Sequence, residues 1–184
     1  MKRDTGNIQA VTRGGITGTQ DYRIQRLYLP LMLCGARLMR LQDTWDLRID
    51  WCYLEIHPEN SAEGEPVSSL DYPSEYWQEL MSNLKRLASE DGLPLSEHTF
   101  TTNSHHTLML AEAAKSLGKE TFYNLHEALF QAFFVEEINT GNREELLKIA
   151  QALNIDREFA LHAWSDSSIQ HRLAHNFSLA RQYG

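Results

Sequence analysis

The side chains able to do chemistry in this chain are two cysteines, eight histidines and a mixed set of carboxylates. Their spacing decides what they can do. Cys34 and Cys52 stand far apart, outside any Cys-x-x-Cys motif, and each by itself reads as a small buried hydrophobe rather than a reactive thiol. His171 and His175 fall four apart, on one face of a helix, a spacing that can grip a metal ion. No glutamate lies between them to act as a general base and no third ligand is evident, so a solvated face is the plainer expectation. His105 and His106 are adjacent in the first turn of a helix, where neighbouring side chains diverge. His126-Glu127 lacks the second histidine of a zinc-protease helix. Glu136-Glu137 and Glu144-Glu145 read as helix-end charge. The chain has no glycine-rich phosphate loop and no nucleophile elbow. Residue chemistry alone names no active site, no metal site and no cofactor.

The elements that would carry these residues are mostly helical. Asn103 to Asp156 holds three helical patterns in succession. In the middle one, Phe122, Leu125, Leu129, Ala132 and Phe133 recur at the three- and four-residue spacing of a buried face. Phe130, Phe134 and Val135 widen that stripe, so this helix is expected to be covered on most sides. Asn103 or Ser104 is placed to cap the first pattern and Gly118 to close it; Asn142 is placed to cap the third. Upstream, Trp77, Leu80, Met81, Leu84, Leu87 and Ala88 make another stripe, ending at Asp91-Gly92. Downstream, Phe159 to Tyr183 reads as one final helical region. Asp46 to Ile56 alternates cleanly, Leu47, Ile49, Trp51 and Tyr53 against Arg48, Asp50 and Cys52, and reads as a strand ending at His57-Pro58. Tyr22 to Tyr28 reads as a short second strand. After Pro30, the residues Leu31, Cys34, Leu38 and Leu41 fit one helical face, in which Gly35 implies close packing. Residues 1–20 have no aromatic residue and no leucine and are expected to form a disordered leader.

Composition bounds the partners. With 184 residues, 42% hydrophobic and 23% charged residues, the chain can bury one ordinary core. Its net charge is −8 and no run of five lysines or arginines occurs, which argues against nucleic acid. No stretch approaches the roughly 20 apolar residues of a membrane span. Neither a signal peptide nor a disulfide framework is visible, and a cytoplasmic location is expected. One good strand and one doubtful one cannot make a stable sheet alone, so the chain reads as an incomplete fold.

The segments Asn103-Ser104, Leu129 to Phe134, Ile138 to Asn142 and Leu146 to Asp156, with Ile49 to Glu59 before them, resemble in order and type the motifs of the DsbA family of thioredoxin-fold oxidoreductases. The resemblance is closest to the branch of FrnE-like proteins and 2-hydroxychromene-2-carboxylate isomerases. It implies an α/β, thioredoxin-like fold with an incomplete sheet and a large all-helical insertion, mostly α-helical overall. On it, residues 59–170 are the insertion, and 21–58 with about 170–184 are remnants of the thioredoxin-like domain.

The resemblance also places the family's Cys-Pro-x-Cys loop at Leu29, Pro30 and Met32, with Gly35 matching its glycine. In the family a helix N-terminus stabilises the thiolate of that loop. Leu29 and Met32 form no thiolate, so the redox step is expected to be weakened or lost. Cys34, two positions beyond the second motif cysteine, is the remaining thiol nearby and is expected to be packing. Since the chain stops before the family's cis-proline strands, a truncated or frame-disrupted member is expected. Three functions follow: a thiol-disulfide oxidoreductase acting on thiol or disulfide substrates; a glutathione-dependent isomerase-like protein binding glutathione; or a non-catalytic helical interaction module, with a homodimer as the form in which a partner covers an exposed sheet edge.

Overall fold

A computed structural model describes residues 6–8, 20–22, 35–41, 44–46, 49–69, 73–97 and 99–183. The four residues Leu29, Pro30, Met32 and Cys34, and nearly all of the expected Tyr22 to Tyr28 strand, lie outside the described residues.

The fold is mostly helical. Residues 35–41 form a helical stretch. It is followed by α1 (Ser74–Glu90), α2 (His105–Ala114), α3 (Lys119–Phe134), α4 (Arg143–Ala152), α5 (Arg157–Ala163) and α6 (Ser167–Tyr183). Short 3₁₀ turns occupy Val67–Ser69 and Lys115–Leu117. Two small antiparallel ladders complete the described residues. One pairs β1 (Gly6–Ile8) with β2 (Gln20–Tyr22), Gly6 opposite Tyr22. The other pairs β3 (Glu65–Pro66) with β4 (Phe100–Thr101), Glu65 opposite Thr101.

Most helix ends follow from local chemistry. Asn142 Oδ1 accepts from Glu144 N at 2.9 Å to cap α4, and Asp156 Oδ1 accepts from Glu158 N at 2.6 Å to cap α5. At α2 the Oδ1 of Asn103 accepts from His105 N at 2.8 Å. Gly92 and Gly118 leave α1 and the 3₁₀ turn after α2 with positive φ, 68° and 98°, the conformation glycine adopts without a Cβ penalty.

The main core lies where α2 to α6 meet. Met109, Leu110, Leu125, Leu146, Leu147 and Ala160 are essentially inaccessible there. A second cluster joins Met81, Leu84 and Ala88 of α1 to Phe134, with Phe130 and Phe133 packed against it. Helix α3 therefore serves two cores, Phe122, Leu125 and Leu129 in one and its phenylalanine-rich end in the other, which is why its stripe is so wide.

Three expectations are corrected. Among the described residues, 49–56 belong to no backbone ladder; the alternation is real, but a strand also needs a neighbour, and here helices take that place. Gly6–Ile8, inside the expected disordered leader, pair with Gln20–Tyr22, a contact that backbone hydrogen bonds make without apolar side chains. The final helical region is two helices: Asp166 Oδ1 accepts from Ser168 N at 2.7 Å and starts α6 anew. No helix among the described residues is long and apolar enough to cross a membrane.

Candidate functional site

The polar and aromatic side chains converge most densely where residues 49–57 cross α3 and the end of α2. Ile49, Trp51 and Tyr53 are half-buried against the helices, while Asp50 and Cys52 face outward. Alternation in the sequence thus correctly sorted the two faces of the segment. Gly35, at the start of the 35–41 helix, lies against the Trp51 ring, and a Cβ there would stand 3.4 Å from it. The helix packs on Trp51 there, at an ordinary van der Waals distance that does not demand a glycine.

His126 of α3 sits under this segment. Its Nδ1 and Tyr53 Oη share a hydrogen bond of 2.8 Å. The Trp51 ring lies 4.4 Å from the imidazole, Phe130 4.8 Å and Phe122 5.9 Å. Trp51 Nε1 donates to Tyr123 Oη at 3.3 Å. Burial among these rings pulls the His126 pKa down from 6.5 to about 4, because an imidazolium there would lose its water without gaining a carboxylate. Burial, with Glu112 and Tyr123 adding to it, also raises the Tyr53 phenol far above its ordinary value. Both groups are neutral at neutral pH.

On the other side of Tyr53, Glu112 is only 5% exposed, with Lys115 Nζ at 2.6 Å and Arg172 Nε at 3.5 Å. Lys115 Nζ also donates to the Trp51 carbonyl at 2.6 Å and lies 5.2 Å from the Tyr53 ring centroid. Asn176 Nδ2 donates to the Tyr53 carbonyl at 3.3 Å. A buried carboxylate between two cations is stabilised by its partners. The whole arrangement fastens the segment to α2, α3 and α6. It presents no ionised nucleophile: the phenol is protonated, the imidazole is already hydrogen-bonded, and Glu112 is committed to Lys115 and Arg172.

The histidines singled out in the sequence do not converge. His105 Nδ1 pairs with Glu55 Oε2 at 3.0 Å, whereas His106 packs 5.6 Å from the Trp164 ring. The His106 pKa is lowered by burial first, then by Arg143 and His105. His171 and His175 are exposed on α6. Among the described residues no three His, Cys, Asp or Glu side chains group as metal ligands. Cys52 is an exposed free thiol. The sequence reading missed the Tyr53–His126 and Glu112–Lys115–Arg172 groupings. Glu112 with Lys115 at i+3 was visible as a spacing, but its burial inside an alanine-rich helix was not.

Residues 32–184 match the family of DSBA-like thioredoxin domains. YwbO of Bacillus subtilis, an uncharacterized protein, is 30% identical over 114 residues, which cover 60% of this chain and 54% of that protein. The chain thus spans about half the length of the curated relative it matches. A probable DsbA oxidoreductase from Streptomyces coelicolor superposes with a TM-score of 0.58 at 18% identity, covering 71% of this chain and 58% of its own. A candidate protein disulfide isomerase from Nitrosomonas europaea gives a TM-score of 0.54 at 15% identity, over 61% of this chain and 58% of its own. These two likenesses concern the fold.

Proposed function

This chain belongs to the family of DSBA-like thioredoxin domains, and from that membership we propose that it is a FrnE-like member whose thiol-disulfide chemistry is lost and whose helical part persists as an interaction module. What carries this reading is the stretch Leu29-Pro30-Leu31-Met32, in which the resemblance to the family sets Leu29 and Met32 where its two reactive cysteines stand. Neither a hydrocarbon nor a thioether side chain ionises, so no thiolate can attack a disulfide from those positions. Cys52 does not replace them: it faces outward from the segment, away from Trp51 and Tyr53.

One observation supports an interaction surface. Met39, Leu41 and Trp45 are exposed large hydrophobics, at 36%, 45% and 54%, on the 35–41 helix and the turn after it, apolar surface that an association could cover. On this reading residues 59–170 form the helical insertion, and 21–58 with the C-terminal residues are what remains of the thioredoxin-like part.

Insulin-disulfide reduction by the purified chain, beside a thioredoxin control, tests the loss of chemistry. The expected trace is flat and equal to that of a Cys34→Ser/Cys52→Ser double variant. Turnover above that baseline that disappears with Cys34→Ser overturns the reading. Saturable glutathione binding in calorimetry would replace it with the isomerase-like alternative.

A further inference from the structure

Among the described residues, 49–57 are held on the helices by side chains and belong to no backbone ladder. Lys115 and Asn176 grip the carbonyls of Trp51 and Tyr53, Tyr123 meets the Trp51 indole, His126 meets Tyr53, and His105 meets Glu55. At the centre of these contacts, Trp51 and Tyr53 close over the imidazole of His126. The geometry points to an acid-labile latch: protonation of His126 releases Trp51 and Tyr53 from α3 while the helical core stays folded. This inference is independent of the thiol chemistry.

The charge on the ring drives the release, not the loss of one hydrogen bond. A protonated ring could still face Tyr53 Oη, but it would be a cation walled by Trp51, Phe122 and Phe130. The ionisable groups around the latch do not compensate it. From α2, Glu112 and Lys115 act on Tyr53 and on each other, and from α6 Arg172 turns to Glu112. On α3 itself, Tyr123 receives the Trp51 indole, Lys119 lies over the Tyr123 ring, and Glu127 is exposed. Burial is the cause that lowers the proton affinity of His126, to a pKa of about 4.

When the segment lifts, the ring meets water and its ordinary affinity returns, so protons favour the open form over the interval between the two pKa values. Opening is local because, among the described residues, it breaks no backbone ladder and it leaves Leu125 and Leu129, on the core side of α3, in place. The His105–Glu55 contact, at 3.0 Å, lies outside the ring cage and keeps the segment tethered near Glu55.

Two signals followed from pH 8 to pH 4 on the full chain test this. One is the Trp51 fluorescence, taken as the difference between the wild type and Trp51→Phe; the other is helical circular dichroism. The expected result is a Trp51 transition between about pH 6.5 and pH 4 with the helical signal unchanged. His126→Phe should remove the transition or move it down by about one pH unit or more. Tyr53→Phe, which weakens the closed form and keeps the imidazole, should move it up. Coincident loss of both signals in the wild type, no Trp51 change above pH 4, or a transition that His126→Phe leaves in place would overturn the latch.

Discussion

At the scale of single residues, tight packing identifies positions that tolerate no change. Gly141 is one. A Cβ there would overlap Thr102 Oγ1 and come within 2.7 Å of the Ala62 carbonyl and 3.0 Å of the Asn103 carbonyl. That junction is already crowded with hydrogen bonds, from Thr102 to the Ser61 and Ala62 carbonyls and from Asn139 to Ala62. Gly141→Ala is expected to cost about 2–3 kcal/mol, read as a lower urea midpoint, and a change under roughly 0.5 kcal/mol would show that the junction relaxes freely. Gly35 contrasts with it. Its virtual Cβ meets Trp51 at ordinary van der Waals distance, so the glycine permits a close approach without being required for it. Sequence could flag both as glycines between patterned elements; only the fold separates the crowded one from the tolerant one. The same limit applied to His126. Phe122 and Phe130, four residues to either side on α3, were legible as neighbours, but Trp51 and Tyr53 come from more than 70 positions away, and no local spacing encodes them.

At the scale of elements, the sequence was most legible where structure is local. Apolar periodicity located α1 to α4, and the caps fell where side-chain chemistry placed them. Asn142 is the cleanest case, capping α4 through Glu144 N. Asn142→Ala is expected to lower stability by about 1 kcal/mol, measured by thermal or urea unfolding, while Asn142→Gly loses only a few tenths. Equal losses for both would mean that the side-chain cap is not what holds the helix start. Legibility failed where an element depends on a neighbour. Residues 46–56 have a strand's alternation, yet for Trp51, Tyr53 and Glu55 the helices α2, α3 and α6 supply contacts. The join between α5 and α6 was hidden because Trp164 continues the apolar pattern. Trp164 instead turns inward, donating its Nε1–H to the His106 carbonyl at 2.9 Å with Arg143 4.5 Å from its ring.

At the scale of the whole molecule, the helices of a DSBA-like thioredoxin domain are intact and closely packed, and membership of that family was readable from the order of loosely matching motifs. No single residue carried it. What the chain does was less legible: on the proposed reading the family's reaction depends on two cysteines, and it is the sequence resemblance that sets Leu29 and Met32 at their positions. A helix N-terminus can stabilise a thiolate only where a thiol is present. The account therefore turns on whether the remaining thiols, Cys34 and Cys52, form a redox couple. The most direct measurement is a mass-spectrometric count of disulfides in the purified chain across a series of glutathione redox buffers. The account predicts two independent thiols, each forming mixed disulfides with glutathione according to its own exposure and no intramolecular bond at any poise. A reversible Cys34–Cys52 disulfide with a defined midpoint would contradict it and restore a redox function to this chain.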